Sequence, residues 1–216
     1  MGNRTRSSGA AKRSYHHGDA RNALLGAAAD LLEKVGAAHL SLRQVAEHAG
    51  LSRQAPYNHF EDKEALLAEL VRNGFEQLAI ALVAGGNPKA KNALERAADA
   101  YIRRAQEAPA LFRLMFSREL VDLSRFPEAA QAGRTAFSKL KEIVGAFASA
   151  ERVRPLTLAA WSLVHGYATL CIEVALEPVT LRGARARLFA RIIRAAATEV
   201  RDIAGAGGPD QAHDLG

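Results

Sequence analysis

Apolar residues recur at spacings of three and four along almost the whole chain, which is the period of an amphipathic α-helix. Alanine and leucine dominate these stripes, and no stretch alternates β-branched and polar residues as a half-buried strand does. The prolines fall between the periodic stretches, where a missing N–H costs least. The pattern predicts an all-α protein with about nine helices.

Three short periodic stretches and the start of a fourth predict a small N-terminal unit. Gly36 suits the end of the first helix because glycine tolerates a left-handed backbone. Ser41 and Gln44 form a capping box at the start of the second helix, and Ser52 and Asp62 cap the third and fourth. These four helices are predicted at about residues 19–36, 41–50, 52–60 and 62–86.

The remainder of the chain predicts five further helices, of which Asn87 and Pro88 open the first. They are expected at about residues 87–105, 110–120, 128–149, 156–176 and 180–204. Residues 156–176 are apolar nearly all round, which indicates burial on several sides. This stretch approaches the length of a membrane span. Thr157, His165 and Glu173 interrupt it, and we expect a soluble helix.

The last predicted helix has an apolar stripe and a basic side. Its inward side chains are predicted to be Leu181, Leu188, Ile192, Ala196 and Ile203, and its outward ones Arg187, Arg191 and Arg194. The basic side chains of this region fit a solvated face better than a second nucleic-acid surface; they are Arg182, Arg185, Arg187, Arg191, Arg194 and Arg201.

Composition narrows the class of protein. Of 216 residues, 49% are apolar and 24% charged, which is globular rather than disordered composition. Cys171 is the only cysteine, so no intramolecular disulfide scaffold forms. The start of the chain has no apolar run, and we expect a cytoplasmic protein. The net charge of +6 suits an anionic partner.

The joint at Gly50 has the proportions of a helix-turn-helix, whose second helix lies in the major groove of DNA. Arg53, Gln54, Tyr57 and Asn58 share its outward face, and Phe60 closes the core behind them. Arginine pairs with guanine, and glutamine or asparagine with adenine. The predicted DNA-binding residues are Ser41, Arg43, Ser52, Arg53, Gln54, Ala55, Tyr57, Asn58, His59 and Lys63.

Within this set, Tyr57, His59 and Lys63 suit phosphate oxygens, which fix register without reading sequence. Ala55 permits close approach to a thymine methyl. The basic arm ahead of the helices adds a charge of +4 for phosphate contacts, although basic starts are often simply disordered. Its charged residues are Arg4, Arg6, Lys12, Arg13, Asp19 and Arg21.

Three runs together resemble the DNA-binding segment of TetR-family transcriptional regulators. They are Leu42-Arg43-Gln44-Val45-Ala46, Ala49-Gly50-Leu51-Ser52 and Tyr57-Asn58-His59-Phe60-Glu61-Asp62-Lys63. Two further runs resemble a subgroup of this family that has a Trp…His-Gly motif. They are Tyr15-His16-His17-Gly18-Asp19 and Trp161 with His165-Gly166. Pro56 departs from the branched aliphatic residue common in the family. Its ring disfavours helical backbone at Ala55, so the recognition helix is expected to start later or wind more tightly.

The resemblance implies a ligand-responsive repressor that forms a homodimer through its last two long helices and binds a palindromic DNA operator. A transcriptional activator and a helical adaptor without DNA remain open. The domains are then a flexible basic arm (1–18), a helix-turn-helix domain (19–62), a ligand-binding and dimerisation domain (63–204) and a disordered tail (205–216).

A pocket for an unknown small-molecule effector is predicted from aromatic and flexible side chains in the second half of the chain. Its candidate residues are Tyr101, Phe112, Met115, Phe116, Trp161 and His165. Packing within a helical core is the alternative for all of them. Cys171 is expected to be a small core residue rather than a redox sensor.

No catalytic constellation is present in the sequence. We find no nucleophile with a base, no Glu-x-x-His repeat of the di-iron type and no glycine-rich phosphate loop. The histidines lack the spacing of a zinc motif. We therefore expect no enzymatic activity, no cofactor and no metal.

Overall fold

The computed structural model describes the backbone of residues 9–174 and 182–205, and side chains within residues 20–174 and 184–198. This part of the chain contains eight α-helices, one 3-10 turn and no strand, so the predicted all-α class is confirmed. The helices are α1 (Gly9–His39), α2 (Leu42–His48), α3 (Lys63–Val83), α4 (Ala93–Glu107), α5 (Pro109–Phe116), α6 (Pro127–Gly145), α7 (Ala150–Glu173) and α8 (Arg182–Gly205).

The backbone of α1 is helical from Gly9, well before the predicted start near Asp19. Its regular part ends at Gly36, whose φ of 75° is the left-handed conformation expected there. Residues 1–8 of the predicted arm, with Arg4 and Arg6, lie outside the described residues, as does the predicted tail from residue 206 onward.

The chain divides into two compact units, and the division falls inside α3 and α6. The first unit contains the residues up to Gln77 together with Glu107–Arg134, and the second contains Leu78–Gln106 with the residues from Thr135 onward. In the first unit α1 packs against α2 and α5, and Leu24, Leu32, Val45, Leu66 and Val71 are among its fully buried side chains.

The second unit is built around α4, the end of α6, α7 and α8. Tyr101, Ile143 and Val144 are almost completely buried in it, and α7 packs against α8. Helix α4 begins at Ala93, later than the predicted start at Asn87. Asn87 instead forms a local turn, because its side-chain oxygen accepts a hydrogen bond from the amide of Lys89 at 2.9 Å.

The prediction that the apolar α7 is buried on several sides is wrong for the single chain. One stripe is buried, formed by Leu156, Thr157, Ala160, Val164 and Ala168. Leucines on other faces, such as Leu158 and Leu170, are about half exposed. By length and composition α7 is the one helix among the described residues that could cross a membrane.

The predicted orientation of α8 is also wrong in part. Ala186, Ala190 and Ile193 face the core, whereas Leu188 and Ile192 are 54% and 46% exposed. The buried stripe therefore combines two alanines with Ile193, whereas Leu188 and Ile192 lie outward. Arg187 and Arg191 are exposed as predicted, Ala196 is half-buried, and the side chains of Leu181 and Ile203 lie outside the described residues. Arg194 is half-buried over the ring of Phe147 at 4.7 Å.

Candidate nucleic-acid interface

The turn between α2 and α3 is built by a cap, a glycine and a proline. Ser41 Oγ accepts a hydrogen bond from the amide of Gln44 at 3.3 Å, so the predicted N-cap of α2 is present. The Gln44 side chain accepts from the Ser41 hydroxyl at 2.7 Å rather than from the backbone N–H that a full capping box would use. Gly50 has a φ of 67°, a conformation that a residue with a Cβ adopts only with strain. The chain can therefore reverse sharply after α2.

The predicted third α-helix over residues 52–60 is wrong. Residues 53–55 form a turn, and Pro56–Asn58 form a single 3-10 turn with no side-chain cap. Ala55 keeps helical backbone angles (φ −56°, ψ −44°), so the ring of Pro56 does not exclude helical backbone before it. Pro56 lacks the N–H that an α-helix would need for a bond to the Ser52 carbonyl, and it occupies the first turn of the 3-10 segment, where that loss costs least. The amides of His59 and Phe60 both bond to the Pro56 carbonyl, at 3.0 and 2.9 Å.

Residues 51–60, here called the recognition segment, turn their apolar side chains inward and their polar ones outward. Pro56 and Phe60 are buried. Arg53 and Tyr57 are 71% and 55% exposed. Of the other predicted contacts, Arg43, Ser52, Gln54 and Asn58 are exposed, and Ser41, Ala55 and His59 are half-buried. The segment thus exposes an arginine, two amides and a phenol.

The ammonium of Lys63 is engaged by the backbone of its own chain. Its Nζ donates a hydrogen bond at 3.0 Å to the carbonyl of Ala38, which lies beyond the Gly36 kink near the end of α1. Lys63 therefore ties the start of α3 to the end of α1.

Arg21 anchors the recognition segment from behind. Its guanidinium lies 5.5 Å from the centre of the Phe60 ring and 2.7 Å from a carboxylate oxygen of Glu69 on α3. Arg72 holds the same carboxylate at 2.8 Å. Burial alone raises the pKa of Glu69, but hydrogen bonds and charge from Arg72 and Arg21 outweigh it and lower the pKa below its usual value.

Two more glutamates fix the segment after α4 to the helices that carry the interface. Both oxygens of Glu33 on α1 accept hydrogen bonds from the first amides of α5, from Ala110 at 3.0 Å and Leu111 at 2.9 Å. Glu64 on α3 accepts from the amide of Asp122 at 2.9 Å and pairs with Arg125. Sequence reasoning missed Glu33, Glu64 and Glu69. Apart from Arg72 beside Glu69, their partners lie far along the chain, and no local pattern indicates such pairs.

The predicted effector residues separate into two groups. Tyr101, Trp161 and His165 meet in the second unit, where the Tyr101 hydroxyl lies 2.8 Å from Nδ1 of His165 and the Tyr101 and Trp161 rings are 5.6 Å apart. Burial raises the pKa of Tyr101 and lowers that of His165, which favours the neutral form of both side chains.

The other group belongs to the core of the first unit. The rings of Phe112 and Phe116 are 5.1 Å apart, and Phe116 packs edge-on against Phe75 at 5.5 Å. Met115 is buried and lies against Gly74 on α3, so close that a Cβ there would be 2.7 Å from its sulfur. These contacts are typical of core packing.

A narrow apolar cavity lies in the second unit beside Tyr101. The centre of a water molecule could occupy about 20 Å³ of it, which is space for about one water. Tyr101 is the one polar side chain among the residues that line it, the others being Leu82, Leu94, Ala97, Ala98, Leu140, Ala160, Val164, Phe189, Ala190 and Ile193. No charged side chain lines this cavity.

Two family models match the chain. Residues 24–70 match the bacterial regulatory proteins of the tetR family, and residues 94–196 match the tetracyclin repressor-like C-terminal domain. No curated protein sequence matches the chain.

Several solved structures share the fold. A protein of unknown function from Rhodococcus sp. RHA1 is 28% identical, with a TM-score of 0.70 over 85% of this chain and 97% of that one. The TetR family transcriptional regulator PfmR from Thermus thermophilus is 22% identical, with a TM-score of 0.60 over 80% and 97%. The fatty acid degradation regulator FadR from Bacillus halodurans is 13% identical, with a TM-score of 0.63 over 80% and 93%.

Proposed function

Because the chain belongs to the TetR family of bacterial transcriptional regulators, we propose that it is a homodimeric, ligand-responsive repressor that binds a palindromic operator in the cytoplasm. The observation that carries the proposal is the outward polar surface of the recognition segment, which Pro56 and Phe60 anchor from behind. No enzymatic activity is part of this function.

The DNA contacts are divided by the chemistry of the exposed side chains. Arg53 and Gln54 suit base edges in the major groove, because a guanidinium can donate two hydrogen bonds to guanine and a carboxamide can pair with adenine. Tyr57 suits a phosphate oxygen, since its hydroxyl lies at the end of a rigid and half-exposed ring. Asn58 lies next to Tyr57 and suits either partner.

The dimer interface follows from the faces of α7 and α8 that the single chain leaves uncovered. Leu158, Leu170 and Val174 on or beside α7, and Leu188 and Ile192 on α8, are exposed. Burying one such side chain stabilises association by about 1.5–3 kcal/mol. A two-fold axis brings the same patch of two copies together. The two recognition segments then face half-sites one helical turn, or a multiple of it, apart.

The effector site is the apolar cavity beside Tyr101. Because it has space for only about one water molecule, a ligand has to widen it. The lining favours an uncharged and mostly apolar ligand, since a charged one loses its hydration without gaining a partner.

Widening moves the helices that line the cavity. One of these is α3, which contributes Leu82 and begins at Lys63, directly after the recognition segment. A coupling free energy of about 1–3 kcal/mol changes DNA affinity roughly 5- to 150-fold.

Selection of binding sites from a random duplex pool by the full chain tests the proposal. We expect an inverted repeat to be enriched. Gln54→Ala should relax the preference at one position of each half-site, and Tyr57→Phe should weaken binding to all sequences equally. Gln131→Ala, an exposed glutamine on α6, is the matched control. A pool without enrichment would contradict the proposal and favour the alternative of an adaptor that binds other proteins.

A further inference from the structure

Residues 41–60 contain one acidic side chain and two arginines, and the acidic side chain lies close to both arginines. Apart from histidines, Arg43, Glu47 and Arg53 are the only charged residues in 41–60. Glu47 Oε1 accepts a hydrogen bond from Nε of Arg43 at 3.1 Å and lies 3.9 Å from Nη2 of Arg53. The Glu47 side chain is 53% exposed.

A contribution to folding does not explain why a carboxylate lies here. Water screens pairs as exposed as these, so they add little to stability. For DNA binding the carboxylate is unfavourable at first sight, because it repels phosphates and lowers the net charge of residues 41–60 from +2 to +1. The weaker phosphate binding that Glu47 causes is therefore the property to explain.

We propose that Glu47 is a specificity-determining residue that restrains Arg43 and Arg53 from indiscriminate phosphate binding; the inference rests on the proposed DNA-binding function. A duplex of the wrong sequence offers the arginines mainly phosphates. Moving a guanidinium from Glu47 to a phosphate then exchanges one anionic partner for another. Wrong sequences therefore gain less from either arginine than they would without Glu47.

A matching duplex differs because it offers base edges as well. A guanidinium has five N–H donors in a fixed fork, so an arginine that keeps Glu47 on one edge still has donors for a guanine. Glu47 therefore lowers affinity for non-matching DNA more than for the operator. It also limits the orientations of Arg53, the residue that we propose to contact a base.

The test compares the wild type with Glu47→Gln on two duplexes of equal length, the one selected by the wild-type protein and one of random sequence. We expect the affinity of Glu47→Gln for the random duplex to rise about three- to tenfold. Affinity for the selected duplex should rise less, so that the ratio between the two falls. The plot of log affinity against log salt should steepen by about 0.9 for each arginine that gains a phosphate.

Two further variants separate this role from a general charge effect. Glu142→Gln removes the same charge from α6, where Glu142 pairs with Lys139 at 3.0 Å, and should leave both affinities unchanged. In Arg43→Gln the additional change Glu47→Gln should have a smaller effect than in the wild type, because one of its two partners is gone. A purely structural role would alter neither the salt dependence nor this coupling.

The inference is overturned if Glu47→Gln leaves random-duplex affinity unchanged, weakens both duplexes equally, or behaves like Glu142→Gln. If the wild type selects no sequence, the proposed function itself fails, which is a different result from selection without an effect of Glu47. Circular dichroism melting of each variant checks that differences in affinity do not come from unfolding.

Discussion

Replacing Glu33 by alanine should detach the start of α5 from α1. In the wild type the two carboxylate oxygens accept hydrogen bonds of 3.0 and 2.9 Å from the amides of Ala110 and Leu111, the first free amides of α5. The carboxylate also faces the positive end of the helix dipole. Glu33→Ala leaves both amides to water and removes this charge.

The expected loss follows from these contacts. A hydrogen bond to a charged group contributes about 1.5–3 kcal/mol where water is excluded. Glu33 is exposed, so solvent competes for the two amides and the loss should be about 1–2 kcal/mol in total. For a chain of this size that corresponds to a fall in Tm of roughly 2–8 °C. Glu33→Gln keeps one acceptor and should lose about half as much.

Urea unfolding at one protein concentration measures the global effect, and hydrogen exchange at Leu111 measures the local one. Glu142→Ala, which removes a glutamate from an exposed pair within one helix, should cost less than about 0.5 kcal/mol. If Glu33→Ala equals this control in unfolding free energy and leaves exchange at Leu111 unchanged, the capping role of Glu33 is refuted.

Three shorter predictions follow. The folded-state pKa of Glu69 is lowered, so its contribution to the free energy of unfolding is present above its ordinary pKa of 4.5 and disappears as pH falls through the lower folded value. In urea unfolding, the difference in stability between the wild type and Glu69→Gln should therefore shrink in acid, and a difference independent of pH would contradict this. The double variant Leu188→Glu and Ile192→Glu should be monomeric in analytical ultracentrifugation, because it places charges on the apolar face of α8 that we propose to be buried in the dimer. A double variant that remains dimeric would place α8 outside the interface. Lys63→Met should lower stability by about 1 kcal/mol but leave the salt dependence of DNA binding unchanged, whereas a slope smaller by about 0.9 would make Lys63 a phosphate contact.

The sequence was sufficient to predict the class of fold and the turn at the interface. Periodicity located most of the helices, although Pro155 lies inside α7 rather than before it and residues 52–60 form no α-helix. Local chemistry located the Ser41 cap and the joint at Gly50. Both are properties of neighbouring residues, which a sequence displays directly. The same is true of Pro56, at which the sequence predicts a later or tighter start of the recognition helix and the structure has a 3-10 turn.

Burial in α7 and α8 could not be predicted from periodicity alone. An apolar side chain is equally consistent with the core of its own chain and with a face that a second copy covers. Leu188 and Ile192 were therefore assigned to the wrong side, while the small residues Ala186 and Ala190 occupy the core. Long-range pairs such as Glu33 with the α5 amides could not be predicted for a similar reason, since the two partners are brought together only by folding.

Oxidative footprinting of Tyr57 tests most directly whether the recognition segment faces DNA. Its ring is 55% exposed in the chain without DNA, so hydroxyl radicals should modify it readily. The selected duplex should slow this modification several-fold, whereas a scrambled duplex at the same concentration should not, and Tyr167 in the second unit should be unaffected. Unchanged modification of Tyr57 in a protein–DNA complex would contradict the account, because the operator would then be held by another surface.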